Sequence, residues 1–196
     1  MKITNKQSAK TEKFVLLAFL TAIVAVLAYY GGFIKIGGLA SISLTLIPVV
    51  VGATLLGPLA GAWLGAVAGA IFFATPDAVF WFGLSVPGTV VTVMVKGILS
   101  GLCAGLVYKA LGKFNRYLAV LAAAIVCPVV NTGIFLVGCF IFFKDTIGSF
   151  TSEHGFFIGI CVFVSLNFVF ELIANIAVSP AIVRIIDLAK TKSNKQ

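Results

Sequence analysis

The sequence predicts an all-α, polytopic membrane protein, and three observations support this fold class. Of its 196 residues, 61% are hydrophobic and only 10% are charged, whereas a soluble domain averages about 25% charged residues. Uninterrupted apolar runs reach the roughly 20 residues that a membrane helix needs. Twenty glycines in this apolar background favour closely packed helices, and the long apolar runs lack the short alternating strands of a membrane β-barrel.

Six membrane-spanning helices are predicted from the charge-free runs, and together they form one membrane domain, 1–196. The longest run, 36–76, is long enough for two short spans. Gly57-Pro58 divides it, because proline is tolerated at the first turn of a helix. The six-transmembrane-helix bundle is predicted at residues 14–30, 42–56, 58–74, 86–111, 117–143 and 155–187.

The distribution of basic residues predicts the orientation of the bundle. When both termini and the 109–116 loop are cytoplasmic, eleven of the fourteen Lys and Arg residues lie on that side, as the positive-inside rule requires. The net charge of +8 is then a topology signal and not a sign of nucleic-acid binding. A cleaved signal peptide ending at Val26-Leu27-Ala28 is an alternative for the first span. The basic tails are 1–13 and 188–196, and the outer loops are 31–41, 75–85 and 144–154.

Two ionisable residues lie inside predicted spans, Lys96 in the fourth and Glu171 in the sixth. Such a side chain is costly in a bilayer and by default marks a functional site. Each belongs to a stripe of polar residues at helical spacing, and the fifth span adds polar residues just beyond the helix-bending Pro128. We therefore expect a pocket that opens to the outside. Its predicted substrate-binding residues are Trp81, Thr92, Lys96, Asn131, Thr132, Asn167 and Glu171.

A structural role is the alternative for these residues. Lys96 and Glu171 would then form an ion pair in a membrane enzyme or scaffold, and the asparagines would join helices through hydrogen bonds. The sequence contains no P-loop, GxSxG or HExxH motif, and its single histidine and four cysteines lack the spacing of a metal site. We therefore expect no enzymatic activity, no catalytic residue, no metal and no cofactor.

Three predicted spans carry small residues at intervals of three or four, a spacing that lets another helix approach closely. Packing within the bundle is sufficient to explain the glycine faces of the third and fourth spans. The alanine face of the first span is the best candidate for a partner interface; its residues are Ala18, Ala22 and Ala25. The glycines are Gly61, Gly65 and Gly69 on the third span, and Gly97, Gly101 and Gly105 on the fourth.

Several stretches of the sequence are similar to those of a known family. They are Ala18-x-x-x-Ala22, residues 95–109, residues 167–186 and, most specifically, LTLIPVVVGATLLGPLAGAWLGAVAGAI at 44–71. Together they resemble the substrate-binding S component of an energy-coupling factor (ECF) vitamin transporter. The resemblance implies a six-helix bundle that holds one vitamin at its outer face. It also implies partners: a transmembrane coupling subunit, on which Ala18 and Ala22 dock, and two cytoplasmic ATPase subunits.

Within that family, the stretch PVVNTGIFLVG at 128–138 and the acidic residue of the sixth span look most similar to the pantothenate branch. That branch is expected to have a basic residue where Lys96 stands, often arginine, so lysine leaves another vitamin such as riboflavin as an alternative. The resemblance implies the substrate-specific subunit of an ABC-type importer in a bacterial plasma membrane. An autonomous solute carrier is a further alternative, although such carriers are commonly built from duplicated halves.

Overall fold

The computed structural model describes the backbone of residues 2–31, 35–36, 40–41, 44–143 and 155–193, and the side chains of 10–31, 44–143 and 167–187. Within these ranges the chain forms seven α-helices and one antiparallel pair of two-residue strands. The helices are α1 (Lys2–Gly31), α2 (Leu46–Leu55), α3 (Pro58–Phe72), α4 (Pro76–Leu84), α5 (Val86–Leu111), α6 (Arg116–Phe142) and α7 (Gly155–Ser193). The strands are β1 (Lys35–Ile36) and β2 (Ala40–Ser41), with Lys35 opposite Ser41.

Four of these helices contain segments that are long and apolar enough to cross a membrane. A fifth crossing is available if α3 and α4 count as one span with an 83° bend, and α2 is a shorter apolar helix. The described part of the chain is thus helical, with four to five candidate membrane spans by length and composition. The count of six spans and the cytoplasmic position of both termini stay predictions. The four segments are Lys10–Gly31, Val86–Leu111, Arg116–Phe142 and Asn167–Asp187.

The prediction of an outer loop at 75–85 is wrong, because the helix α4 occupies this segment. Pro76 opens the helix and Asp77 follows, where proline loses no hydrogen bond and an acidic residue suits the helix dipole. Nine residues are too few to cross a bilayer, which is why the sequence predicted a loop. Because α4 is bent by 83° relative to α3, it does not need the length of a helix that crosses the bilayer by itself.

Two helices extend into the predicted basic tails. α1 begins at Lys2 and α7 continues to Ser193, whereas the predicted spans were 14–30 and 155–187. Lysine, glutamine and glutamate are good helix formers, so a helix does not have to end where its apolar run ends. The outer loop predicted at 144–154 lies outside the described residues.

Local chemistry sets the starts of three helices. Gly57 has a φ of 105°, which only glycine adopts readily, and Pro58 then opens α3, so the predicted break at this dipeptide is confirmed. Ser85 begins α5, and its hydroxyl oxygen accepts a hydrogen bond from the Gly88 amide at 3.2 Å. Asn115 caps α6 by accepting hydrogen bonds from two amides of the first turn. The last two caps fix the helices that carry much of the predicted pocket.

The short helix α2 lies at the centre of the bundle. It contacts α1, α3, α5, α6 and α7, and most of its residues are buried. Val49, Val50 and Ala53 are fully enclosed and pack in one core with residues of α1, α5, α6 and α7. At 1.5 Å per residue α2 is only about 15 Å long. The core is therefore built around a helix that is too short to cross a bilayer alone.

The helices α3 and α5 pack against each other through their glycine faces. A Cβ added at Gly65 would overlap with the backbone of Gly97, and one added at Gly61 would overlap with the backbone of Gly101. At the end of this interface, Gly105 lies against Pro58. The two backbones touch because no side chain separates them. This confirms the prediction that packing within the bundle explains both glycine faces.

Two of the three residues of the α1 alanine face, Ala18 and Ala22, are not covered by any described part of the chain. Ala18 and Ala22 are exposed and Ala25 is half-buried, whereas Leu20 and Val24 on the other side of the helix are buried in the core. α1 packs on α2 and α3. The alanine face thus points away from the bundle.

Candidate functional site

Lys96 lies midway along α5, between aromatic rings from two other helices. Its Nζ is 4.7 Å from the centre of the Phe135 ring on α6 and 5.8 Å from that of Phe72 on α3. Both distances fall within the range in which a cation is attracted to an aromatic face. The Lys96 side chain is half-buried, so its ammonium lies beside the two rings and stays partly exposed.

No carboxylate among the described side chains lies within 4.0 Å of the Lys96 ammonium. The ion pair that the described side chains do form joins Arg116 to Asp187, where α6 begins and near the end of the apolar part of α7. Glu171 lies on α7, which packs against α6 as α5 does, and it makes no ion pair with Lys96. The direct Lys96–Glu171 ion pair of the structural alternative is absent between these two described residues.

Glu171 is held on α7 by two asparagines, one turn away on either side. Asn167 donates its Nδ2 to the Glu171 Oε1 at 3.3 Å, and Asn175 donates its Nδ2 to the Glu171 backbone oxygen at 2.8 Å. Glu171 is 4% exposed and Asn175 is 2% exposed. The three residues share one face of α7 because they are four residues apart, and that face turns toward the bundle.

Three buried polar atoms near these residues have no hydrogen-bond partner within the described part of the chain: Thr92 Oγ1, Asn167 Oδ1 and Asn175 Oδ1. Other buried hydroxyls of α5 and α7 behave differently. Ser100 donates to the Gly97 carbonyl and Ser179 to the Ile176 carbonyl, at 2.9 and 2.8 Å. Buried polar groups in proteins are nearly always hydrogen-bonded, so these three atoms are available for hydrogen bonds with a ligand.

The helix α6 contributes one face to the same region. Thr92 packs against Gly138, where an added Cβ would overlap with the threonine side chain. Asn131 and Thr132 are half-buried. Asn131 is one turn before Phe135 and two turns before Gly138, so it shares the α6 face that contacts α5. Helical spacing therefore puts Asn131 and Phe135 one turn apart on the same face of α6.

Trp81 on α4 forms an aromatic layer with two residues of the α6 end. Its ring is 5.1 Å from that of Phe135, edge to face, and 5.6 Å from that of Phe143. The Thr89 hydroxyl donates to the Trp81 backbone oxygen at 2.8 Å, which ties α4 to α5. Trp81 therefore reaches Lys96 through Phe135, which both of them contact.

Among the predicted site residues, Trp81 and Lys96 both contact Phe135, and Asn167 donates to Glu171. That all seven line one pocket stays a prediction. The sequence analysis missed Phe72 and Phe135 and did not include Asn175. The spacing of four between Asn131 and Phe135 is a signal that could have indicated the latter. Nothing in the sequence could have placed Phe72, because its proximity depends on the α3–α5 packing.

Comparison with protein families identifies the chain. The model of the family described as ECF transporter, substrate-specific component, matches residues 12–183. The chain belongs to this family. No curated protein and no solved structure matches the chain. As an ECF substrate-specific component, the protein is a subunit of a transporter, and its family is not an enzyme family.

Family membership also indicates the general role of the apolar helices and of the candidate site. Several apolar helices agree with a multi-pass membrane protein. An ECF substrate-specific component implies a vitamin-type ligand and, in general, coupling and ATPase subunits as partners. The half-buried ammonium and the buried oxygen acceptors between α5, α6 and α7 are the polar groups with which such a ligand could interact.

Proposed function

We propose that this ECF substrate-specific component binds pantothenate, a vitamin with a carboxylate at one end, from the outside of a bacterial plasma membrane. The ligand lies between α5, α6 and α7, with both termini of the chain in the cytoplasm. The bound vitamin passes through a transmembrane coupling subunit, and two separate ATPase subunits drive the transfer. The substrate-binding residues are Trp81, Thr92, Lys96, Asn131, Thr132, Asn167 and Glu171.

The position of Lys96 carries the proposal. Its ammonium has three N–H donors and no acceptor, and within the described residues it forms no ion pair and donates no hydrogen bond. Phe72 and Phe135 hold it in place. A carboxylate ligand would satisfy this charge with charge-assisted hydrogen bonds, which are stronger than neutral ones.

The exposed alanine face of α1 supports the proposed docking on a coupling subunit. Ala18 and Ala22 leave a smooth surface on a helix that is mostly exposed. In a bilayer, van der Waals packing between small residues is a main source of helix association. A helix of another membrane protein could therefore approach α1 closely, although the alanine Cβ atoms would keep it farther away than α3 lies from α5.

A first experiment identifies the ligand. Gently purified protein is denatured, and mass spectrometry identifies any small molecule released, followed by binding measurements with a panel of B vitamins. We expect pantothenate to be released and to bind. Riboflavin is the second candidate, since Trp81 and Phe135 offer aromatic faces for its ring system. If no vitamin of the panel binds, the proposal is wrong.

The Lys96→Met variant tests the carboxylate contact. We expect it to weaken pantothenate binding by about 30-fold or more, because removing one partner of a desolvated charge pair costs about 2 kcal/mol or more. Lys109→Met is the matched control, since Lys109 lies on the same helix but is exposed. Isothermal titration with both variants gives the comparison. Equal affinities for Lys96→Met and the wild type would remove Lys96 from the binding site.

A further inference from the structure

The hydrogen bonds to Glu171 fix the orientation of both neighbouring amides. Asn167 and Asn175 each donate Nδ2 to an oxygen of Glu171. If either amide were turned around, its carbonyl oxygen would face another oxygen with no proton between them. The two Oδ1 atoms therefore point away from these bonds, and both are buried without a partner among the described residues.

One face of α7 consequently presents three groups with unused hydrogen-bond acceptor capacity. The Glu171 carboxylate can accept more than the single bond from Asn167, and an Oδ1 atom lies one turn away on each side. From Asn167 to Asn175 the face extends over about 12 Å, at 1.5 Å per residue. We call these three residues the acceptor face. Ser179, the next residue at this spacing, has its hydroxyl satisfied within the helix and does not belong to it.

The acceptor face on α7 and Lys96 on α5 lie on helices that both pack against α6. The ammonium can only donate, whereas the acceptor face offers unused acceptors. A ligand that satisfies both must accept at one end and donate along the rest of its length. Neutral donors fit better than a second ammonium, because Lys96 already supplies positive charge near Glu171.

We propose that the acceptor face recognises hydrogen-bond donors of the substrate, so that the ligand is a carboxylate with hydroxyl or amide N–H groups away from its carboxyl end. The inference rests on the proposed function, because it takes the carboxylate at Lys96 as given. It adds Asn175 to the binding site. It also excludes carboxylates that lack donors, because they would leave buried acceptors unpaired.

Two probes that share a carboxylate test this recognition. Pantothenate carries hydroxyl and amide N–H donors, and octanoate is a straight-chain carboxylate of about the same length without them. Both are titrated against the full-length protein in lipid nanodiscs, and the ratio of their Kd values is the readout. We expect octanoate to bind wild-type protein at least about 100-fold more weakly, since each lost hydrogen bond to a charged or buried acceptor costs roughly tenfold.

Variants of the acceptor face should reduce the ratio of the octanoate Kd to the pantothenate Kd. Asn167→Leu and Asn175→Leu keep a similar side-chain volume but remove the acceptor, and each should weaken pantothenate binding about tenfold without weakening octanoate binding. Ser179→Ala is the matched control on the same helix face and should leave the ratio unchanged. Because both probes are titrated on the same preparation, partial unfolding of a variant does not alter the ratio.

The outcomes separate this inference from the proposed function. If octanoate binds the wild type as tightly as pantothenate while Lys96→Met weakens both, the acceptor face does not select donors and the proposed carboxylate site stands. If Ser179→Ala lowers the ratio as much as Asn175→Leu, packing is responsible and the inference is wrong. If neither probe binds, the proposed function fails and the inference fails with it.

Discussion

The two small-residue surfaces of this protein have the same spacing but different surroundings. Gly65 and Gly97 bring α3 and α5 into backbone contact inside the bundle. Ala18 and Ala22 form a similar surface on α1, but within the described chain no helix covers it. Spacing of this kind therefore indicates that a helix can be approached closely. It does not indicate whether the approaching helix belongs to the same chain.

The difference has a physical basis in what each surface does for the fold. The close approach of α3 and α5 stabilises the fold through van der Waals contacts between the two helices. Small residues allow these contacts because they let the backbones touch. α1 is held by its opposite side, where Leu20 and Val24 are buried. The alanine face can thus change without disturbing the contacts that keep α1 in place, and this gives three tests.

The largest expected effect is on folding, for Gly65→Ala. Its new Cβ would overlap with the carbonyl group of Gly97, which is backbone and cannot rotate away. We expect a loss of roughly 3 kcal/mol of stability, at the upper end for an overpacked core, measured by unfolding of the purified protein in detergent. Gly133→Ala is the control, because nothing lies within 4 Å of a Cβ at that position of α6. Equal stability of the two variants would contradict the described α3–α5 contact.

The next effect is on assembly, for Ala18→Trp and Ala22→Trp. A bulky residue on the exposed alanine face should leave folding and vitamin binding unchanged. It should weaken association with the coupling subunit by about 10- to 100-fold, if it costs the 1–3 kcal/mol of an overpacked contact.

Co-purification of the transporter subunits and vitamin uptake measure this effect. Phe19→Trp is the matched control, since Phe19 is a neighbouring exposed residue that is already large. If Ala18→Trp assembles as well as Phe19→Trp, the alanine face is not the docking surface.

The smallest effect concerns how α1 is attached to α3. The Trp63 indole N–H donates to the Thr21 hydroxyl at 3.3 Å in an exposed position. Trp63→Phe should lower stability by about 0.6 kcal/mol, a typical value for a hydrogen bond between membrane helices.

A double-mutant cycle with Thr21→Val isolates this contact. The two changes together should cost less than the sum of the single changes, because both remove the same bond. Strict additivity would show that the bond contributes nothing, and that apolar packing alone attaches α1.

Much of the fold could be predicted from the sequence because it depends on local chemistry. The break at Gly57-Pro58 follows from the backbone preferences of two residues. The segment at 75–85 was different. Its proline, glycine and short length are typical of a loop, and α4 is nonetheless a helix. The ring contacts of its Trp81 are with Phe135 and Phe143, which are distant in the sequence.

The candidate site was predictable in its charges but not in its contacts. Lys96 and Glu171 stood out because ionisable residues are rare in apolar helices. Whether they pair directly depends on the distance between α5 and α7, and no sequence pattern contains that distance. Asn175 Oδ1 has no hydrogen-bond partner among the described residues, whereas the Ser179 hydroxyl donates to a backbone carbonyl. Spacing could not distinguish the two residues, since both lie on the same polar stripe of α7.

By itself, the sequence determined that this is a helical membrane protein with two ionisable residues, Lys96 and Glu171, inside its predicted spans, because the bilayer excludes most alternatives. Tertiary structure decided which surfaces meet. It placed the Lys96 ammonium between two aromatic rings, and it covered the glycines of α3 while leaving the alanines of α1 exposed. Local patterns fix what each helix can contact, whereas the packing of all the helices together fixes what it does contact.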